Sequence, residues 1–400
     1  MLRRGRVALL AVLCCAAGLA WPPAARADSI RDNQQWVLSM MNVQAAWQLT
    51  EGAGVKVAVL DSGVDPYVSD LTGSVITGPD YTGVDTSSAN PDWGVHGTWM
   101  ASLIAGHGHD GGADGIIGIA PQAQILSIRV IPDRADPHYG AYKREPETRI
   151  QQSLADGITF AVRHGAKVIS MSIGYGAPSA AVRKALQYAY SRGVVVVASA
   201  GNSGGSDETD GAGQSPESFP ADYPGVISVG AVNAAGAVAS FSSDNLSVQV
   251  AAPGVSVPAQ GRDGQYWWVS GTSPACALVA GVAALIKSLY PTLAPDLVAS
   301  ALTSTTTNRP ARGYDSALGF GIVDASAALA KAGRLARERP GATGVAARTI
   351  FGGGPAAIPP DPVGPRGSGP LILFSLLAVL CLAIGGAAGT RLVTTRRARG

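Results

Sequence analysis

Between about residues 55 and 329 the chain alternates short apolar runs with stretches of helical period. VKVAVL (55–60), ILSIRV (125–130), KVISMSI (167–173) and VVVVA (194–198) are nearly continuous apolar runs of strand length. Between them lie Gly97–Ala105, Ile150–His164 and Ser179–Ser191, where apolar positions recur with the turn of a helix. In the second of these, Ile150, Leu154, Ile158 and Val162 fall at i, i+4, i+8 and i+12, on one helical face. A strand that is apolar on both sides has no solvent face, so such runs alternating with helices predict a mostly parallel sheet covered by helices on both faces, a three-layer α/β architecture. Chemistry in such a sheet is expected beyond the carboxyl ends of the strands. No internal repeat interrupts the pattern.

The two ends depart from it. MLRRGR followed by VALLAVLCCAAGLA and ARA reads as a secretory signal over residues 1–27, with Asp28 as the first mature residue. Cys14 and Cys15 lack the preceding small residue that lipidation needs in this context. LILFSLLAVLCLAIGGAAG (371–389) carries no charge and as a helix measures about 28 Å, enough to cross a hydrocarbon core. A transmembrane helix is therefore expected over 371–390. Arg391, Arg396, Arg397 and Arg399 follow it, with only Arg366 close on the other side, which places the 391–400 tail in the cytoplasm and the body outside the membrane. Residues 28–330 then form the folded body, and 331–370, rich in Gly and Pro, a semi-rigid tether. Pro132–Arg149 is polar and proline-bearing between a strand and a helix, and reads as an exposed insertion.

The formal charge of +2 is dominated by the ends. Setting aside the four arginines of the signal and the four of the tail leaves 22 basic against 28 acidic residues, a net of −6. This excludes the electrostatic footprint of a nucleic-acid-binding protein. Of four cysteines only Cys276 belongs to the body, so no disulfide can form within it, and stability must come from a large core.

Three residues carry chemistry. Asp61, in VAVLDSGVD, directly follows a strand. His96 opens GVHGTWMASLIAG, flanked by glycines at the start of a helix. Ser273, in GTSPACALVAG, stands before Pro274, which suits a first helical turn, so its hydroxyl emerges at a helix N-terminus whose dipole favours developing negative charge. Each alone reads far more readily as a structural residue than as a functional one. Their order, Asp then His then Ser, is one of the arrangements used for nucleophilic catalysis. Cys276, three residues beyond Ser273, shares a small apolar face with Val279, Ala280 and Ala283 and is expected to be packing rather than a nucleophile.

DSGVD, HGT, ASAGN and GTS, in this order, resemble the subtilases, the subtilisin-like serine proteases, over about residues 33–329. The resemblance implies a three-layer subtilisin-like fold and peptide-bond hydrolysis without a required cofactor. It implies that Ser273 attacks the carbonyl, His96 transfers the proton and Asp61 holds the imidazole. Asn202 matches the side-chain donor of the oxyanion hole, and Ser172, Ile173 and Gly174 match the segment that pairs with an extended polypeptide substrate. Pro274 and Ala277 stand where the family has Met and Pro, and Trp99 where many members have a second histidine. HGHDGGADG (107–115) overlaps a region where some subtilases bind calcium, with Asp70 as a further ligand. Without a clear pattern of carboxylates it reads first as a hydrated loop, ahead of calcium and well ahead of a transition metal on His107 and His109, and no metal residue is assigned. The layout of signal, body, tether, span and basic tail, with no room for a folded propeptide, resembles the mycosins, membrane-anchored subtilases associated with type VII secretion. That subgroup implies a secretion complex as partner. Its members can also support such a complex structurally, the alternative role for this chain.

Overall fold

The computed structural model describes residues 30–338, apart from 113, 207, 208 and 210–212. In chain order the helices and strands are α1 (Ile30–Met40), α2 (Val43–Trp47), β1 (Lys56–Asp61), β2 (Val75–Asp80), α3 (Val95–Ala105), β3 (His107–His109), β4 (Asp114–Ile117), β5 (Gln124–Arg129), α4 (Tyr139–Tyr142), α5 (Glu147–Arg163), β6 (Val168–Met171), α6 (Ala180–Ser191), β7 (Val195–Ser199), β8 (Ile227–Val232), β9 (Val248–Pro253), β10 (Val257–Gln260), β11 (Tyr266–Val269), α7 (Thr272–Leu289), α8 (Pro295–Ser304) and α9 (Ala325–Glu338). Seven strands form one sheet in the order β2-β5-β1-β6-β7-β8-β9, and every pair in it is parallel.

The period-2 geometry of a strand sends successive side chains to opposite faces. In β1, Val57 and Val59 enter one core with α1, α2, α3, α7, α8 and α9, while Ala58 and Leu60 enter a second core beneath α5 and α6. β5, β6 and β7 divide in the same way. The expected three-layer sheet is thus observed, and both of its cores are closed. Lys56 pairs with Gln124 at one side of β1, and Val57 with Val168 at the other, so the chain reverses its direction of progress across the sheet at β1. In open α/β sheets such a switch point is where a crevice forms beyond the strand ends.

α7 is apolar around its whole circumference because it is surrounded. It packs on β6, β7, β8, β9 and α3, and Cys276, Val279, Ala280 and Ala283 are all fully buried. It is long and apolar enough to cross a membrane, yet 83% of it is buried within the body, so it is a core helix. The signal at 1–27, most of the tether, the span at 371–390 and the tail at 391–400 lie outside the described residues.

Two sequence boundaries need correction. The body does not end at residue 330, because α9 continues to Glu338 with Ala332 and Leu335 in the core. Pro132–Arg149 is not simply an exposed insertion either. Asp133, Asp136 and Tyr142 are buried, and the guanidinium of Arg129, itself only 2% exposed, binds Asp136 Oδ2 at 2.8 Å and Asp80 Oδ2 at 2.6 Å. A buried cation must find such partners, and here they fold the segment back onto the strand ends.

Candidate active site

Asp61 is the last residue of β1 and is 2% exposed. Its Oδ1 accepts the N–H of Ser62 at 2.7 Å and faces His96 Nδ1 at 2.8 Å. A carboxylate can only accept, so Nδ1 carries the proton and Nε2 is left as the basic atom. His96 is the second residue of α3. Its helix approaches β1 closely because residue 97 is glycine: a Cβ there would lie 2.0 Å from the carbonyl oxygen of Gly63. The ring is about a third exposed, at 31%, so one edge faces the crevice. Burial works against the charged imidazole, but the Asp61 charge and hydrogen bond, with Asp133 behind them, outweigh it and hold His96 above its ordinary value, while Arg134 opposes them.

Ser273 lies in the first turn of α7 and is half-buried. Its carbonyl accepts a hydrogen bond from Ser172 Oγ at 3.2 Å, which ties the start of α7 to the segment leaving β6. Its own Oγ makes no hydrogen bond among the described residues, so no Ser273–His96 bond is formed in this structure. Such bonds commonly tighten only when substrate is bound. Asn202 follows β7, and its Oδ1 accepts from Thr272 N–H at 2.9 Å and from Thr272 Oγ1 at 3.1 Å. Those two donors identify the oxygen and leave Nδ2 to donate elsewhere, next to Gly271 and the serine turn. Ile173 and Gly174 make no backbone-to-backbone hydrogen bond among the described residues, although Tyr175 just beyond is paired with Phe219. The crevice thus gathers a half-buried hydroxyl at a helix N-terminus, an Asp-oriented imidazole, an amide donor and a free edge of backbone.

Cys276 is unsuited to nucleophilic work. It is fully buried, its Sγ lies 3.7 Å from both Ser170 Oγ and the Met171 carbonyl, and burial pushes its thiol up to about 12.

Residues 107–109 and 114–117 are strands rather than irregular loop, joined through an exposed turn. β3 and β4 pair as a hairpin, and fully buried Asp70 holds it, accepting from His109 Nδ1 at 2.7 Å, Ile116 N–H at 2.7 Å and Tyr266 Oη at 3.1 Å. Where backbone oxygens converge, the Arg31 guanidinium binds the carbonyls of Gly115 at 2.9 Å, Asp114 at 3.1 Å and Gly112 at 3.2 Å. This donor set does not fit calcium, since both oxygens of Asp70 already face N–H or O–H donors and the carbonyls already face a cation. Among the described residues no group of three or more His, Cys, Asp or Glu side chains forms a metal cluster.

Sequence reasoning missed Asp133, Ser62 and Arg129. Ser62 Oγ accepts the N–H of Gly97 at 3.0 Å, Arg129 Nε donates to the Ser62 carbonyl at 3.1 Å, and Asp133 binds the backbone of the histidine turn. Ser62 sits inside the DSGVD motif, and only Arg129, a cation in an apolar strand run, was a visible anomaly.

A parallel three-layer sheet with this crevice at its switch point defines a subtilisin-like serine protease, and residues 52–321 match the subtilase family, to which the chain belongs. Subtilisin DY of Bacillus licheniformis is 37% identical over 278 residues, covering 70% of this chain and 92% of its own. Among solved structures, the serine protease MycP1, an essential component of the type VII (ESX-1) secretion system, is 32% identical with a TM-score of 0.59, covering 74% of this chain and 88% of its own. MycP3 protease from the type VII (ESX-3) system is 31% identical with a TM-score of 0.61, covering 74% and 87%. The protein is thus a subtilase related to the mycosins.

Proposed function

We propose that the protein is a membrane-tethered, extracytoplasmic endopeptidase in which Ser273 is the nucleophile. The observation that carries this is the 2.8 Å contact between buried Asp61 and His96 at the same strand ends where Ser172 anchors the Ser273 turn. His96 Nε2 takes the Ser273 proton as Oγ attacks the peptide carbonyl, then returns it to the leaving amine. Asp61 holds the productive tautomer and stabilises the imidazolium. The developing oxyanion accepts from Asn202 Nδ2 and the Ser273 N–H, donors already oriented before reaction. The substrate lies extended against Ser172, Ile173 and Gly174, adding a strand to their free edge.

Tethering rests on the signal at 1–27 and the uncharged run at 371–389, with the basic tail cytoplasmic. Association with a type VII secretion complex rests on the likeness to the two mycosins. Because MycP1 is an essential component of its own secretion system, that likeness favours a second, structural role alongside proteolysis. A fluorophosphonate is expected to label the purified protein at Ser273, and Ser273→Ala to abolish both labelling and peptide hydrolysis. Labelling that survives this substitution sinks the site assignment. In a deletion strain, Ser273→Ala that restores secretion separates the structural role from the catalytic one.

A further inference from the structure

α3 has no cap of its own. Gly94 at the cap position is left-handed, with φ 73°, and offers no side chain to the first turn. The open N–H groups of Val95 and His96 are taken by a residue of the loop after β5: Asp133 accepts the first through Oδ2 at 2.8 Å and the second through Oδ1 at 3.0 Å. This carboxylate is 8% exposed, with Ser62, Asp61 and His96 as its neighbours. Burial pushes it up from its ordinary value, and Asp61 adds to the rise, so a charge at this position is costly.

A neutral acceptor would close the turn without that cost, since Ser and Asn cap helices as well as Asp does. What the carboxylate adds is a negative field at the backbone of His96. That residue sits in the first turn of an 11-residue helix, whose positive end disfavours an imidazolium. Catalysis through Ser273 requires that imidazolium to form. We infer that Asp133 is a positioning residue which fixes the backbone of His96 and, by its charge, cancels the helix dipole against the imidazolium formed when Ser273 gives up its proton. The inference rests on the catalytic role proposed above for His96. The charged groups that face the ring are Asp61 from β1 and Asp133 and Arg134 from the loop after β5.

The test is the pH profile of kcat/KM on a peptide ester for the parent, Asp133→Asn, Asp133→Ser and Asp133→Glu, with active sites counted by fluorophosphonate. The two neutral variants are expected to move the acid limb to lower pH by roughly half a pH unit. They should lower kcat per labelled site about threefold to tenfold at unchanged KM. Asp133→Glu should keep the parent's limb. An acid limb unmoved in both neutral variants, with the loss confined to the count of active sites, reduces Asp133 to a structural cap and overturns the inference. If neither neutral variant folds, Asp133→Glu decides: with the charge retained and displaced, it must keep the limb and lower kcat, and a fallen limb or an unchanged kcat overturns the inference. An inactive parent, or labelling independent of Ser273, counts instead against the catalytic assignment itself.

Discussion

Lys287 lies near the end of α7, 2% exposed, with its Nζ donating to the Leu293 carbonyl at 2.8 Å. Burial, reinforced by Lys167, lowers its ammonium from 10.5 to about 8. Replacing it with methionine keeps the length and flexibility of the stem and removes the charge. At pH 7 the folded protein carries the buried ammonium, and a depression of this size corresponds to about 3 kcal/mol of instability relative to the unfolded chain. Loss of the bond to Leu293 returns about 1 kcal/mol to the other side. Lys287→Met should therefore stabilise the protein by about 2 kcal/mol at pH 7. The sign follows from proton counting: between pH 8 and 10.5 the unfolded chain holds the proton and the folded one does not, so the parent gains stability as pH rises through this window. Above 10.5 the advantage of the variant vanishes and the lost hydrogen bond leaves it slightly less stable. Urea unfolding at about pH 7 and about pH 10.5, in a Ser273→Ala background to prevent self-digestion, reads the difference. A variant that is destabilised equally at both pH values would falsify the argument, because it would mean that the ammonium is compensated by the fold.

Three further outcomes follow from the geometry. Asn202→Ala should lower kcat by about two to three orders of magnitude with KM little changed, because in the proposed mechanism its amide donates only when the oxyanion forms; a rise in KM alone would remove Asn202 from that role. Thiol reagents should leave the native enzyme active, since Cys276 is buried and its thiol stays protonated far above neutral pH; rapid inactivation on a native timescale would return the cysteine to consideration. Arg31→Ala should destabilise the fold by about 2 kcal/mol through the loss of three charge-assisted bonds, whereas a chelator should leave the Tm of the parent unchanged. A fall in Tm on chelation that added calcium reverses would overturn the reading that this donor set does not hold calcium.

The contrast between β1 and the 132–149 segment explains how much was legible in advance. β1, β5, β6 and β7 were readable because burial on both faces demands apolar residues at successive positions, and that demand is written locally. α5 and α6 were readable because a 3.6-residue period records which side of a helix is buried, and their observed bounds differ by only a few residues from the apolar spacing. The family motifs around Asp61, His96, Asn202 and Ser273 were readable because each sets glycine or a small residue at a fixed offset from the candidate group. β2 was missed, since VITGPD at the sheet edge is largely half-exposed and carries glycine and proline. The β10–β11 hairpin was missed although YWWV is an apolar run, because β11 pairs only with β10 in a separate two-stranded ribbon that leaves Trp267 and Trp268 substantially exposed.

The sequence by itself determined the class of fold and the order of the chemical groups along it, and it pointed to Ser273 rather than Cys276 as the candidate nucleophile. Only the tertiary structure decided what surrounds them. Asp133 closes the turn of His96 from 37 residues away, Arg31 gathers carbonyls more than 80 residues distant, and Arg129 draws Asp80 and Asp136 to the strand ends. Each is a single polar side chain meeting a backbone group or an opposite charge that only the fold brings near. Such a contact buries no stripe and repeats with no period, so it leaves no trace in the local pattern. It is determined by where the sheet delivers its ends, and here those deliveries set the surroundings of His96.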